Sequence, residues 1–304
     1  MEIFESKKLY NLDRYFNHFI ELHQLKKFPK ILMLSGKKGS GKFTLVFHIL
    51  NYIFDKKNYD LKNKEIQNDT SFTTQLKNKF FSNILFFSNN LENIKIDEIR
   101  KLKSTLLKST INNLPRFVIL DGVELFNINS LNSLLKLIEE PSINNYFILI
   151  NNEEKKLLET VKSRCINYKI YINNKDRFEI IASLSKSFNI KQNIDYKSID
   201  ITPGNYLKYS RLCDEHEINF NDNYYSNISK LFFLYKKNKN LDYISICSYM
   251  TDIYFYKLCS NNKKYIEKYN SIRFYILKNL SDLTVYNLNI NSVLNSISNK
   301  IKYV

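Results

Sequence analysis

Residues 36–44 read G-K-K-G-S-G-K-F-T, between a short apolar run and an amphipathic stretch. Gly36, Gly41 and Lys42 stand at the G-x-x-x-x-G-K spacing of a phosphate-binding loop, with Gly39 between them. In such a loop the backbone N–H groups and the positive end of the following helix surround phosphates, while the lysine reaches the terminal ones. A hydroxyl should follow the lysine to hold Mg²⁺. Here Phe43 occupies that position and Thr44 comes one residue late, about 100° further round a helix. Two readings follow. The loop still holds phosphate weakly through Gly36, Gly39, Gly41, Lys42 and Thr44, or it is a relic that shapes a strand–helix corner. The second is preferred, because Mg²⁺ supplies the main charge neutralisation at such sites.

The second stretch with chemical content is R-F-V-I-L-D-G-V-E at 116–124. An apolar strand ending in Asp121 could present a carboxylate to a metal. The neighbouring position, where a water-activating glutamate would be needed, is Gly122, and Glu124 lies two residues beyond. A strand-end aspartate that caps a turn explains Asp121 equally well. The third is Arg164, in T-V-K-S-R-C at 160–165. Only seven of the 46 basic residues are arginine. In so lysine-rich a chain, an arginine there suggests a need for a planar, bidentate cation. His18, His23, His48 and His216 show no ligand spacing, and the four cysteines form no CxxC pair, so no metal site is expected.

These residues need elements to position them. The runs at 30–35, 83–87, 116–120 and 146–150 are short and apolar throughout, as strands buried on both faces are. Helical segments between them indicate a parallel sheet. Leu131, Leu134, Leu135 and Ile138 form one apolar stripe, predicting a helix over 129–140 capped by Asn129 and stopped before Pro141. A helix is expected over 153–162, then a strand at 166–170. The polar segment 55–82 reads as a helix end and loop. Beyond 172 the pattern turns helical: 174–188, a turn at Pro203-Gly204, a helix from 205, and helices to the end, with the apolar stretch 243–259 buried in a bundle.

The formal net charge is +16, from 46 Lys and Arg against 30 Asp and Glu. Nucleic acid is the partner class this permits, although abundant Asn, Lys, Ile and Tyr point to compositional bias as the larger source. The first ten residues carry no apolar signal-type core, and no run reaches the roughly 18–20 residues needed to span a bilayer. A reduced cytoplasmic location, without membrane association, is expected.

The block 116–165 carries a specific resemblance. The strand ending at Asp121, S-L-N-S-L-L-K-L-I-E-E-P at 130–141, Y-F-I-L-I at 146–150 and S-R-C at 163–165 together resemble the clamp-loader branch of the AAA+ family. N-I-K-I-D-E-I-R at 93–100 is similar to the family's lead into that block. The resemblance implies an α/β AAA+ domain with a doubly wound parallel sheet at 1–172, a small helical lid at 173–212 and an all-helical collar domain at 213–304. It implies a subunit of the bacterial DNA polymerase III clamp loader that helps place a sliding clamp on primed DNA. Its partners would be ATP-hydrolysing motor subunits and a delta-type subunit, with DNA met through the assembled complex. Phe43 and Gly122 depart from the motor pattern and resemble the delta-prime type, in which Arg164 reaches a neighbour's ATP. No cofactor is firmly implied, ATP and Mg²⁺ binding being weak or absent. Asn205 stands where the family places a second-domain arginine, Asn151 and Asn152 where it places a polar sensor, for which a turn role is preferred here. The family's zinc module is missing from 55–82. The alternative is a working ATPase, either a gamma- or tau-like motor subunit or another P-loop enzyme.

Overall fold

In the computed structural model the described residues are 6–67, 70–78, 81–88, 102–106, 114–191 and 194–302. They fall into two compact units, 1–176 and 177–304. The segment 93–100 lies outside the described residues.

The first unit is built on five parallel strands: β1 (Ile31–Ser35), β4 (Ile84–Ser88), β5 (Arg116–Asp121), β6 (Asn145–Asn151) and β7 (Ile166–Lys169). Their spatial order is β4-β5-β6-β1-β7. Every neighbouring pair is parallel, with Leu32 opposite Ile148 on one side and Ile166 on the other. The continuous apolar runs are explained by their alternation. Leu32, Leu34, Phe117, Ile119, Ile148 and Ile150 join one core layer, while Met33, Val118, Leu120, Phe147 and Leu149 join the other. Helices α1 (Asp13–Gln24) and α2 (Lys42–Phe54) cover the first face. The second is covered by α4 (Ile128–Ile138) and the short α5 (Glu159–Lys162). Helices on both faces of a parallel sheet make the doubly wound α/β layer expected from the sequence.

Three local expectations in the first unit are corrected. Asn127, not Asn129, caps α4: it is extended, and its side chain accepts the Ser130 N–H. The helix expected over 153–162 is confined to Glu159–Lys162: Glu153 has φ 58°, outside helical space, and Leu158 is extended immediately before α5. The polar stretch after α2 folds as an antiparallel ribbon, β2 (Tyr59–Asp60) with β3 (Glu65–Ile66), followed by α3 (Ser71–Lys77) capped by Thr70. Asp60 builds the ribbon's turn by accepting the N–H groups of Lys62 and Asn63.

The second unit is helical: α6 (Asn174–Ser187, beginning in the first unit), α7 (Pro203–Glu215), α8 (Tyr224–Asn238), α9 (Asp242–Asn261), α10 (Ile266–Val285) and α11 (Ile290–Ile301). Pro203 opens α7 rather than standing in a separate turn, as suits a residue with fixed φ and no N–H. Helix α9 packs against both α8 and α10 and buries a broad face, from Tyr243 and Ile244 to Ile253 and Phe255. Buried Arg177 ties the chain leading into α7, donating to the carbonyls of Ile199 and Ile201 at 2.7 and 3.0 Å. One core runs from Ile181 through Cys213 and Phe255 to Ile297.

Candidate functional site

The G-x-x-x-x-G-K loop follows β1, beside β6 and β7, and ends at the first residue of α2. This is where an open parallel sheet changes the direction of its winding, the usual place for a ligand crevice. Gly36 has φ 151°, and a Cβ there would lie 2.6 Å from the backbone oxygen of Ile170. Only glycine lets the loop pass that strand end. Gly39 lies in the 37–40 turn, and Gly41 immediately precedes α2.

Lys42 is 2 % exposed. Its ammonium turns back into its own loop, donating to Gly36 O at 2.6 Å, Lys37 O at 2.8 Å and Ser40 Oγ at 3.4 Å. Burial pulls its pKa down to about 8, against the opposing pull of Asp121, Glu124, Glu153 and Glu154. Phe43 lies in the apolar layer. Its ring meets Phe86 edge-on with centroids 5.2 Å apart, and it lines a small apolar cavity with Phe47, Leu50 and Phe81. Thr44 is half-buried in the first turn of α2.

Asp121 ends β5, and its Oδ1 accepts from Asn152 Nδ2 at 3.2 Å. Gly122 has φ 69°, which starts a tight turn through Val123–Leu125 and folds Glu124 back under the end of β6. There Glu124 accepts the Asn152 N–H at 3.1 Å. Burial raises the pKa of both carboxyls. The sheet thus brings Lys42, Asp121, Glu124 and Asn152 together. Asn151, one residue earlier, accepts the Glu153 N–H and forms a turn.

Arg164 is elsewhere. It follows α5 and precedes β7, so it lies at the amino-terminal end of a strand parallel to β1. The loop carrying Lys42 lies at the carboxyl-terminal end. Strand β7 alone separates these ends by about 10 Å at 3.3 Å per residue. Arg164 donates from Nε and Nη2 to Glu139 Oε1 at 3.1 and 2.7 Å, and from Nη1 to Thr160 O at 2.9 Å. Its side chain is 36 % exposed.

A family model described as DNA polymerase III, delta subunit, matches residues 12–174, more than half of the 304-residue chain. The chain belongs to that family. DNA polymerase III subunit delta' of Buchnera aphidicola subsp. Baizongia pistaciae (strain Bp) is 28 % identical over 269 residues, 84 % of this chain and 73 % of the relative. Subunit delta' of Buchnera aphidicola subsp. Schizaphis graminum (strain Sg) is 25 % identical over 236 residues, 74 % and 66 % of the two chains. Among solved structures, a DNA polymerase III, gamma subunit-related protein from Thermotoga maritima aligns with a TM-score of 0.56 at 17 % identity, over 92 % of this chain and 96 % of that one. At that identity the likeness speaks for fold alone. The family model and the named relatives agree with the delta-prime-type subunit that the block 116–165 implies, and the solved structure agrees with its parallel α/β sheet.

Within the family frame, two residues stand out. Asn152, at the polar-sensor position where a turn role was preferred, instead links Asp121 to Glu124 across two strand ends. Glu139 holds Arg164 from 25 residues away, and only the fold brings the two together. Among the described residues, no helix is long and apolar enough to cross a membrane.

Proposed function

We propose that the chain acts in the cytoplasm as a non-motor, delta-prime-like subunit of the clamp loader, helping to place a sliding clamp on primed DNA and supplying Arg164 to ATP bound by a neighbouring subunit. The observation that carries this reading is the separation of Arg164 from Lys42 at opposite ends of one parallel sheet. An arginine so placed cannot serve its own chain's loop. Half-exposed before β7, it is available to a second subunit. Phosphoryl transfer builds charge on the γ-phosphate oxygens, which a guanidinium fork stabilises better than an ammonium.

The chain's own loop fits Mg²⁺-ATP poorly. The place of the hydroxyl ligand is taken by a phenyl ring that faces Phe86. The lysine ammonium is bonded to loop carbonyls, and Asp121 is engaged by Asn152. Gly36, Gly39, Gly41, Lys42, Thr44 and Asp121 are therefore assigned a structural corner with at most weak phosphate binding. Within the same proposal, residues 173–212 form a lid and 213–304 a collar that joins motor and delta-type subunits.

The test is DNA- and clamp-stimulated ATPase of a loader reconstituted with wild-type, Arg164→Ala or Arg164→Lys chains. Arginine fingers contribute about 10³–10⁵ in rate at the site they serve. Only one of several ATP sites faces this subunit, so a partial loss is expected, with incomplete rescue by lysine. Wild-type hydrolysis and clamp loading by the Ala loader would remove the in-trans role.

A further inference from the structure

We propose that Glu139 is a positioning residue for Arg164, fixing one edge of the guanidinium from within the chain so that its remaining donors are presented outward. The inference rests on the in-trans reading of Arg164 and extends it to the residue that sets the arginine's geometry.

A guanidinium has five N–H donors in a rigid fork. Three are used inside the chain: Nε and Nη2 on Glu139 Oε1, and Nη1 on Thr160 O. One donor on Nη1 and one on Nη2 remain, the number a bidentate phosphate or carboxylate requires. Both anchors sit on fixed backbone. Glu139 closes α4, its N–H bonded to Leu135 O. Thr160 lies in α5 next to Val161, which is 0 % exposed. Leu134 and Ile138 of α4 share one core layer with Leu157 and Val161. The distance between the anchors is thus set by packing, and the arginine bridges them.

A carboxylate beside the arginine also offsets part of its charge, which would weaken the finger. Geometry outweighs this effect here. The pair is 36 % and 48 % exposed, so water and salt screen the charge. A bidentate contact still fails if the fork is turned away.

The experiment uses the assembled loader with Glu139→Ala, Glu139→Gln, Arg164→Ala and the Glu139→Ala/Arg164→Ala double variant. Each is read by stimulated ATPase resolved into kcat and KM for ATP, and by incorporation into the complex. An exposed ion pair biases a side-chain equilibrium by about two- to fivefold. Glu139→Ala should lower the rate at the affected site by about that factor, in kcat, with KM and incorporation unchanged. Glu139→Gln should recover most of the loss, because an amide oxygen accepts the same two N–H groups. The double variant should match Arg164→Ala alone. If Arg164→Ala is slow while Glu139→Ala runs at or above the wild-type rate, positioning is overturned and the finger stands. Additive losses in the double variant, or no rescue by Gln, overturn it as well. If Arg164→Ala itself runs at the wild-type rate, the finger reading falls and takes this proposal with it.

Discussion

Lys42 allows a test that needs no partner subunit. If its ammonium is as buried as its 2 % exposure indicates, stability must respond to its titration. Burial lowers the folded pKa from 10.5 to about 8. The unfolded chain therefore binds more protons than the folded one between pH 8 and 10.5, and the free energy of unfolding climbs with pH across that window. The difference between the folded and unfolded values corresponds to roughly 3 kcal/mol in total, most of it gained by pH 10. Below pH 8 both states hold the proton and the contribution is flat. Lys42→Met removes the titration while keeping an unbranched chain of similar length. It also leaves Gly36 O and Lys37 O without their donor, at about 1–3 kcal/mol for each buried group. That loss is nearly independent of pH, so it shifts the variant's curve without giving it a slope. The assay is urea unfolding of wild type and variant at pH 7, 8, 9 and 10, followed by far-ultraviolet circular dichroism. Other lysines and tyrosines titrate in both proteins and cancel in the difference. Wild type should gain on the variant by about 2–3 kcal/mol between pH 7 and 10. A constant difference across the range would show that Lys42 titrates normally and that its burial does not disfavour the charged form.

Two further outcomes follow from the same loop. The isolated chain should show no ATP turnover near the common enzyme range of about 1 s⁻¹, because Phe43 faces Phe86 and Gly122 begins a turn; turnover at that level, abolished by Lys42→Ala, would restore the motor reading. Gly36→Ala should cost about 1–3 kcal/mol in thermal or urea unfolding, since its Cβ would lie 2.6 Å from Ile170 O. An unchanged midpoint would mean that the loop does not pass β7 as closely as described.

The sheet was legible in the sequence because a strand buried on both faces has one signature, an unbroken apolar run, and β1, β5 and β6 show it in full. Stripe periodicity located α4 for the same reason, with an error of two residues at the cap. Asn127 and Asn129 are chemically alike, and only the backbone angle at Asn127 decides between them. The ribbon at β2 and β3 was not legible. Two-residue strands carry no alternation to count, and the Asp60 turn that builds them contains no glycine. The missing half of the 153–162 helix is bounded by a left-handed Glu153 and an extended Leu158, conformations that neither side chain advertises. At the site, residue types identified Lys42, Asp121 and Arg164 as the groups of interest. Glu139 was hidden, and Asn152 was named without its contact, because both act across the fold rather than along the chain.

Under the proposed non-motor reading, the loop also explains why a nucleotide motif is a weak statement about nucleotide chemistry. Its pattern asks for glycines at tight corners and a lysine at a helix start. Each has a local use that involves no phosphate. Gly36 is required by the Ile170 carbonyl of the same sheet. Lys42 can spend its donors on Gly36 O, Lys37 O and Ser40 Oγ, carbonyl and hydroxyl groups that the tight turn itself presents. The residues with no such second use are the hydroxyl that would follow the lysine and the glutamate that would follow Asp121. Only the metal and the attacking water call for them. Here those two positions hold Phe43, packed against Phe86, and Gly122, turned to φ 69°. The discrimination between motor and non-motor subunit therefore rests on positions 43 and 122, and the three matching loop residues carry none of it.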